Sequence, residues 1–297
     1  MYFKLWGGAV ILHKVIMAFQ MQFFMFLSGY CACFALPMTD MGGFLKKKIK
    51  GLLIPYVSWV TILILLGLLR RQYVVSPLVL KEYFISGFWY LRTLFYIFLA
   101  LMVQQYFQKL LKNRFSISWI ISWVLTYLVG RIPGCGSLWK YYMWFTLGIC
   151  ANHAFARIHS GRLIYVEEGC YIGGAMSIFG FLCLDNALIQ AFADYAVGLF
   201  CTLGLFFLCK RIYAAVADTS VTSAMCTIGR KTLGLYAIHW SLLFSTGWGD
   251  FSGMMRRFTN SDWLIAFVML VVWTAVSVLV WILLNRFKWA RVCLLGK

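Results

Sequence analysis

The 297 residues are 63% hydrophobic, 19% aromatic and only 12% charged, where soluble domains carry about 25% charged residues. No water-soluble fold of this length hides that much apolar surface, so the composition excludes a cytosolic enzyme and calls for lipid as solvent. The net charge of +18, from 27 Lys and Arg against 9 Asp and Glu, would point a soluble protein toward nucleic acid; here the basic residues fall in short clusters between apolar runs, which membrane topology explains without a nucleic-acid partner.

Nine apolar stretches follow one another, at residues 16–36, 51–69, 84–107, 116–130, 138–155, 163–184, 188–209, 231–248 and 262–285. A helix rises 1.5 Å per residue, so about 20 residues match a hydrocarbon core of about 30 Å. The expected fold is therefore all-α: a polytopic bundle of about nine transmembrane helices, one domain over residues 1–297. Four lysines, Lys46, Lys47, Lys48 and Lys50, precede the second stretch, whose helix contains Pro55. Such a cluster ordinarily anchors a helix to the anionic inner leaflet, and it would also attract a phosphate-rich cytosolic molecule such as a coenzyme A thioester. In the sixth stretch Gly169 and Gly173 form a GxxxG pair, expected as a close helix contact. The longest polar connection runs from Lys210 to Lys231, too short for a soluble domain. Sorting the basic residues into alternate loops gives 17 on one side and 7 on the other. That bias turns the richer side, with the C-terminus, toward the cytoplasm, and leaves the N-terminus outside.

Most of the ten cysteines, among them Cys31, Cys33, Cys183, Cys201 and Cys209, lie within or at the ends of apolar runs and read as small apolar residues. No CxxC and no Cys/His set at zinc spacing is present, so no metal site is expected. The GRKT at Gly229–Thr232 lacks the last glycine of a phosphate loop, Arg230 standing in its place, which removes support for ATP-driven transport.

An ionisable side chain inside a membrane segment is costly and therefore a functional candidate. Arg92, about eight residues into the third stretch, and His239, about eight residues into the eighth, each lie roughly 12 Å from their own membrane face by helix rise. One polar chamber could hold both. For Arg92 the structural alternative is a cation satisfied by carbonyls or by a carboxylate such as Asp185 or Asp194; for His239 it is an imidazole hydrogen-bonded to a neighbouring helix.

Four segments in order resemble the acyltransferase 3 family of bacterial membrane O-acyltransferases. AFQMQFFMFLSGY, Ala18 to Tyr30, is similar to the family's S-F-H-M-P-L-F-F-F-L-S-G-Y. FLKKKIKGLLIPY, Phe44 to Tyr56, resembles its basic patch and L-L-I-P-Y. WYLRTLF, Trp89 to Phe95, resembles a W-F-L-x-x-L-F helix start, and IGRKTLGLYAIHW, Ile228 to Trp240, the I-G-x-x-S-L-G-I-Y-x-x-H. The resemblance implies a bundle of about ten helices that passes an acyl group from acyl-CoA, acetyl-CoA for instance, to a sugar hydroxyl of a surface polysaccharide or lipid-linked glycan at the bacterial cytoplasmic membrane. It further implies catalytic roles for His239, Arg92 and Gln20, attraction of the CoA phosphates by Lys46, Lys47, Arg230 and Lys231, and acceptor contacts from Trp89, Tyr90 and Ser28. Membrane lipids and the glycan are then the partners.

Two departures from the family pattern bear on catalysis. No His here has a basic residue eleven positions earlier, so the family's R-x10-H is missing, and no helix precedes Ala18–Tyr30. Gln20 replaces the F-H-M-P histidine and Gln22 the proline; a carboxamide donates hydrogen bonds but does not shuttle protons at neutral pH. The expectation is a first helix lost to a late start codon, with a catalytically inactive relative as the alternative. A non-enzymatic transporter or flippase of a lipid-linked sugar would account for the helices and the basic mouth, but not for the four ordered segments.

Overall fold

The computed structural model of the chain describes residues 7–69, 77–111, 115–136, 138–158, 160–183, 187–216, 219–229, 231–246, 253–257 and 261–296. Among the described residues there is no β-strand, in keeping with a solvent that cannot satisfy open backbone groups. The α-helices in chain order are α1 (Gly7–Ala32), α2 (Met41–Lys48), α3 (Ile54–Leu69), α4 (Pro77–Ser86), α5 (Trp89–Leu110), α6 (Phe115–Val129), α7 (Leu138–Phe155), α8 (Ser160–Cys183), α9 (Ala187–Val216), α10 (Ser220–Gly229), α11 (Thr232–Thr246), α12 (Asp262–Leu284) and α13 (Lys288–Cys293). Each of the nine apolar stretches is mainly helical over its described residues. Among the described residues, four runs are long and apolar enough by themselves to cross a bilayer: Val15–Ala35, Met41–Leu69, Phe192–Val216 and Phe267–Leu284.

Local chemistry sets several boundaries. Asp40 caps α2 by accepting from Gly43 N at 2.8 Å, and Ser261 caps α12 through Leu264 N. Pro77 opens α4, where its missing N–H costs nothing. Between α2 and α3 lies a π-helical turn, Ile49–Leu53, in which Ile54 N reaches back five residues to Ile49 O. Pro55 follows at once; having no N–H, it cannot continue the α-ladder back to Gly51, and the widened turn absorbs the mismatch.

Three expectations change here. The lysines before the second stretch are part of the helical run, Lys46, Lys47 and Lys48 forming the last turn of α2; Lys48 lies 3.5 Å from the Phe98 ring centroid, its stem laid over apolar surface. The Lys210–Lys231 connection is largely helical as well, since α9 carries on through Lys210 and Arg211 and α10 follows. The third stretch is broken at Gly87–Phe88, where Phe88 adopts a left-handed φ of 44°.

The chain divides into two compact units, each made of two stretches: residues 1–37 with 139–224, and residues 38–138 with 225–297. In the first unit α9 packs along α8 and α1. The α1–α7 contact is made by glycines. A Cβ on Gly29 would stand 1.8 Å from Phe145 O, and one on Gly148 would stand 2.0 Å from Phe26 O, so the two backbones touch. Asn152 Nδ2 adds a bond to Tyr30 O. Of the GxxxG pair, Gly173 does lie against the Phe200 ring, but Gly169 has nothing within 4 Å and makes no helix contact. Two acidic side chains in this unit are paired, Glu167 with Arg211 and Tyr171, and Asp194 with Lys140 at 3.5 Å, while Gln22 Oε1 and Thr202 Oγ1 are buried without a hydrogen-bond partner.

In the second unit α11 packs against α12 and α3. Helix α5 meets α6 through a polar cluster in which Gln104 donates to Gln108 and Ser118, Gln105 donates to Gln104, and Ser122 donates to Ala100 O. The segment around α13 turns back into the unit. Ala290, Leu294 and Leu295 are buried, and Leu294 O accepts the indole N–H of Trp59 at 3.0 Å. Replacing Gly29 by Val should cost at least about 1–3 kcal/mol of overpacking and lower the unfolding temperature of the detergent-solubilised protein, whereas Gly169→Ala leaves it unchanged.

Candidate functional site

Helix α5 starts at the break within the third stretch, so Arg92 is its fourth residue rather than a residue two turns deep in a long span. Its N-cap, Phe88, offers no side-chain acceptor to the first turn. The Arg92 side chain is 9% exposed. Its Nη1 donates to Phe84 O at the end of α4 (2.6 Å) and its Nη2 to Gly134 O in the turn after α6 (2.7 Å), while Nε has no partner. The hydroxyl of Tyr56 on α3 also donates to Phe84 O. Arg92 thus pins α4, α5 and the 130–136 turn to one another. Neither of the two ion pairs among the described residues includes it: Asp194, one carboxylate expected to neutralise it, belongs to the other unit and pairs with Lys140, and Asp185 lies outside the described residues. Carbonyls hold the guanidinium, and among the described residues it forms no ion pair with a carboxylate.

Arg92 lines a cleft of about 360 Å³ with Ile85, Trp89, Thr93, Gly134, Cys135, Gly136 and Leu138. Gly134 is at φ +87°, a conformation that side chains resist, and an added Cβ would also lie 3.2 Å from Ile85. Trp89 and Arg92 thus line the same cleft. Tyr90 is buried, with its ring edge-on to Tyr236 of α11 at 5.5 Å between centroids.

His239 is the eighth residue of α11 and is half-buried. Its Nδ1 lies 3.5 Å from Ser277 Oγ on α12, and that hydroxyl donates to Trp273 O at 2.7 Å. With the serine proton committed, the oxygen is left to accept, so the long contact favours the tautomer with the proton on Nδ1 and the lone pair on Nε2. His239 does not line the Arg92 cleft. The two residues share a unit and the Tyr90–Tyr236 contact, not a common wall.

The expected donor-side cations also belong to this unit. Lys46 and Lys47 are exposed on α2, and Lys231 stands 4.3 Å from the Trp281 ring centroid at the start of α11. Arg230 lies outside the described residues. Gln20 and Ser28 sit on α1 in the other unit. Gln20 is half-buried, and the Ser28 hydroxyl bonds to its own helix at Phe24 O.

Sequence reasoning did not find Tyr56, Thr93, Cys135 or Ser277. Only their placement beside Arg92 or His239 marks them. If the carbonyl bonds of Arg92 hold this corner together, Arg92→Leu leaves Gly134 O without its donor and Phe84 O with that of Tyr56 alone, which costs about 1–3 kcal/mol and lowers the unfolding temperature clearly. Arg92→Gln, which keeps an amide donor, should lose less.

Searches among curated proteins and among solved structures returned no significant match. The model of the acyltransferase 3 family, which describes an acyltransferase domain, matches residues 2–282. That match takes in nearly the whole chain and both compact units, so the protein belongs to the acyltransferase 3 family and is a membrane acyltransferase by descent.

Proposed function

We propose that this protein is an O-acyltransferase of the bacterial cytoplasmic membrane that moves an acetyl or similarly small acyl group from acyl-CoA to a sugar hydroxyl of a surface polysaccharide or lipid-linked glycan. The observation that carries the reading is His239. It is a half-buried imidazole on α11, in the segment that resembles the family's I-G-x-x-S-L-G-I-Y-x-x-H, and its Nδ1 faces a serine oxygen that has already spent its proton.

In this reading the CoA phosphates gather at the exposed lysines of α2, Lys46 and Lys47, and at Arg230 and Lys231, which precede α11 in the sequence. These belong to the basic set that the loop bias turns toward the cytoplasm, which also places the C-terminus inside and fits a bundle of nine or ten spans. The sugar hydroxyl attacks the thioester carbonyl as His239 Nε2 takes its proton. The C–S bond of the tetrahedral intermediate then breaks, and the CoA sulfur leaves with the proton returned from the imidazolium. A general base of this kind contributes about 10²–10⁴-fold.

The test is acetyl transfer by purified protein with radiolabelled acetyl-CoA and a glycan acceptor. His239→Gln should cut kcat by about 10²-fold or more without loss of folded protein. Lys46→Ala with Lys47→Ala should raise KM for acetyl-CoA several-fold at nearly constant kcat. Full turnover in His239→Gln removes its role, and a chain that neither binds nor hydrolyses acetyl-CoA is not this enzyme but fits the transporter reading.

A further inference from the structure

Three features of the Arg92 cleft bear on what it binds. The first is charge. Among the described residues the polar partners of this buried guanidinium are neutral, the Phe84 and Gly134 carbonyls and the Tyr56 hydroxyl, which leaves a positive potential in a medium of low dielectric, where an uncompensated ion costs several kcal/mol. One donor on each Nη is committed, and Nε has no partner, so the pair of carbonyls orients the cation without neutralising it. The second is the helix end. Arg92 lies in the first turn of α5, a 22-residue helix whose N-cap has no side-chain acceptor, so the partial positive charge of the helix N-terminus adds to that of the guanidinium. The third is the lining. Trp89 offers a flat apolar face, Thr93 a hydroxyl, and the Gly134–Gly136 turn little side-chain bulk, around a volume of about 360 Å³ that would accept a single sugar ring.

We infer that this cleft binds a sugar bearing an oxyanion, a carboxylate or a phosphate, with the anion at Arg92 and the α5 N-terminus and an apolar sugar face on Trp89. The acceptor is then a glycan that carries an anionic residue, a uronic acid or a sugar phosphate, which the cleft holds while the reacting hydroxyl reaches His239 beyond it, and not a glycan of neutral hexoses alone. A planar guanidinium pairs with either oxyanion through parallel N–H bonds. The inference deepens the acyltransferase reading by naming the acceptor class, and rests on that reading only for the word acceptor.

Cys135 gives a readout that needs no catalysis. It is a free, half-buried thiol in the cleft wall, so a bound sugar should shield it from maleimide, while Cys31 and Cys150, exposed and in the other unit, serve as internal standards. The full chain, purified in a non-ionic detergent without a sugar headgroup, is alkylated in the presence of glucuronate, glucose 1-phosphate, glucose, inorganic phosphate or phosphatidylglycerol vesicles, and each cysteine is followed by mass spectrometry. Glucuronate or glucose 1-phosphate should slow Cys135 at least five-fold with no change at Cys31 and Cys150. Glucose at the same concentration should not. Arg92→Gln should abolish the protection, and Trp89→Leu, which leaves the carbonyl bonds intact, should weaken it, so that a misfolded arginine variant does not leave the question open.

Equal protection by glucose overturns the inference, as does protection that survives Arg92→Gln. Protection by inorganic phosphate or by lipid vesicles as strong as that by glucose 1-phosphate overturns the sugar assignment. The outcomes separate from those of the proposed function. Acetyl transfer to a neutral glycan, with no anion-selective shielding, keeps the enzyme and discards the anionic acceptor. Shielding by glucuronate in a chain that never transfers acetyl keeps the site and discards the enzyme.

Discussion

Hydrocarbon offers a peptide group no partner, so the chain closes its backbone hydrogen bonds within helices and has little hydrophobic drive left to bring those helices together. What joins them is therefore close packing and polar bonding. The Gly29–Gly148 crossing of α1 and α7 is the first kind of joint, a backbone-to-backbone approach with no room for a methyl group. The Gln104–Gln105–Ser118 cluster between α5 and α6 is the second. Arg92 is the extreme of the second kind, a full charge fastening three pieces of backbone.

The same constraint explains which parts of the structure were legible in the sequence. Apolar runs separated by basic clusters announce helices in lipid directly, and the position of His239 in the eighth run agrees with its place in α11. Interruptions within a run were illegible. Nothing in the letters of Gly87 and Phe88 announces that a phenylalanine will take a left-handed φ, yet that break moves Arg92 from the interior of a span to the start of a helix. The lysines of α2 looked like a loop because charge was read as solvation, whereas Lys48 lays its stem on Phe98 and stays helical.

The candidate site divides in the same way. Arg92 and His239 could be picked out because a charge or an imidazole in an apolar run is conspicuous. Their partners could not, since Gly134 and Ser277 stand 42 and 38 residues away in the chain and belong to types common in any membrane helix or turn. Arg92 faces a cleft with a tryptophan and a small-residue turn, while His239 meets a serine on another helix, so the two candidates stand on different walls of one unit.

The segment around α13 lies past the last residue of the family match, yet it fills part of the interior of its unit: Ala290, Leu294 and Leu295 are buried, and Trp59 donates its indole N–H to Leu294 O. A stop codon just beyond α12 would spare every long apolar run, leave hydropathy plots unaltered, and still open a hole beside α3 with an unanswered indole inside it. For gene-level comparisons, intact spans are thus no guarantee of an intact protein in this family member.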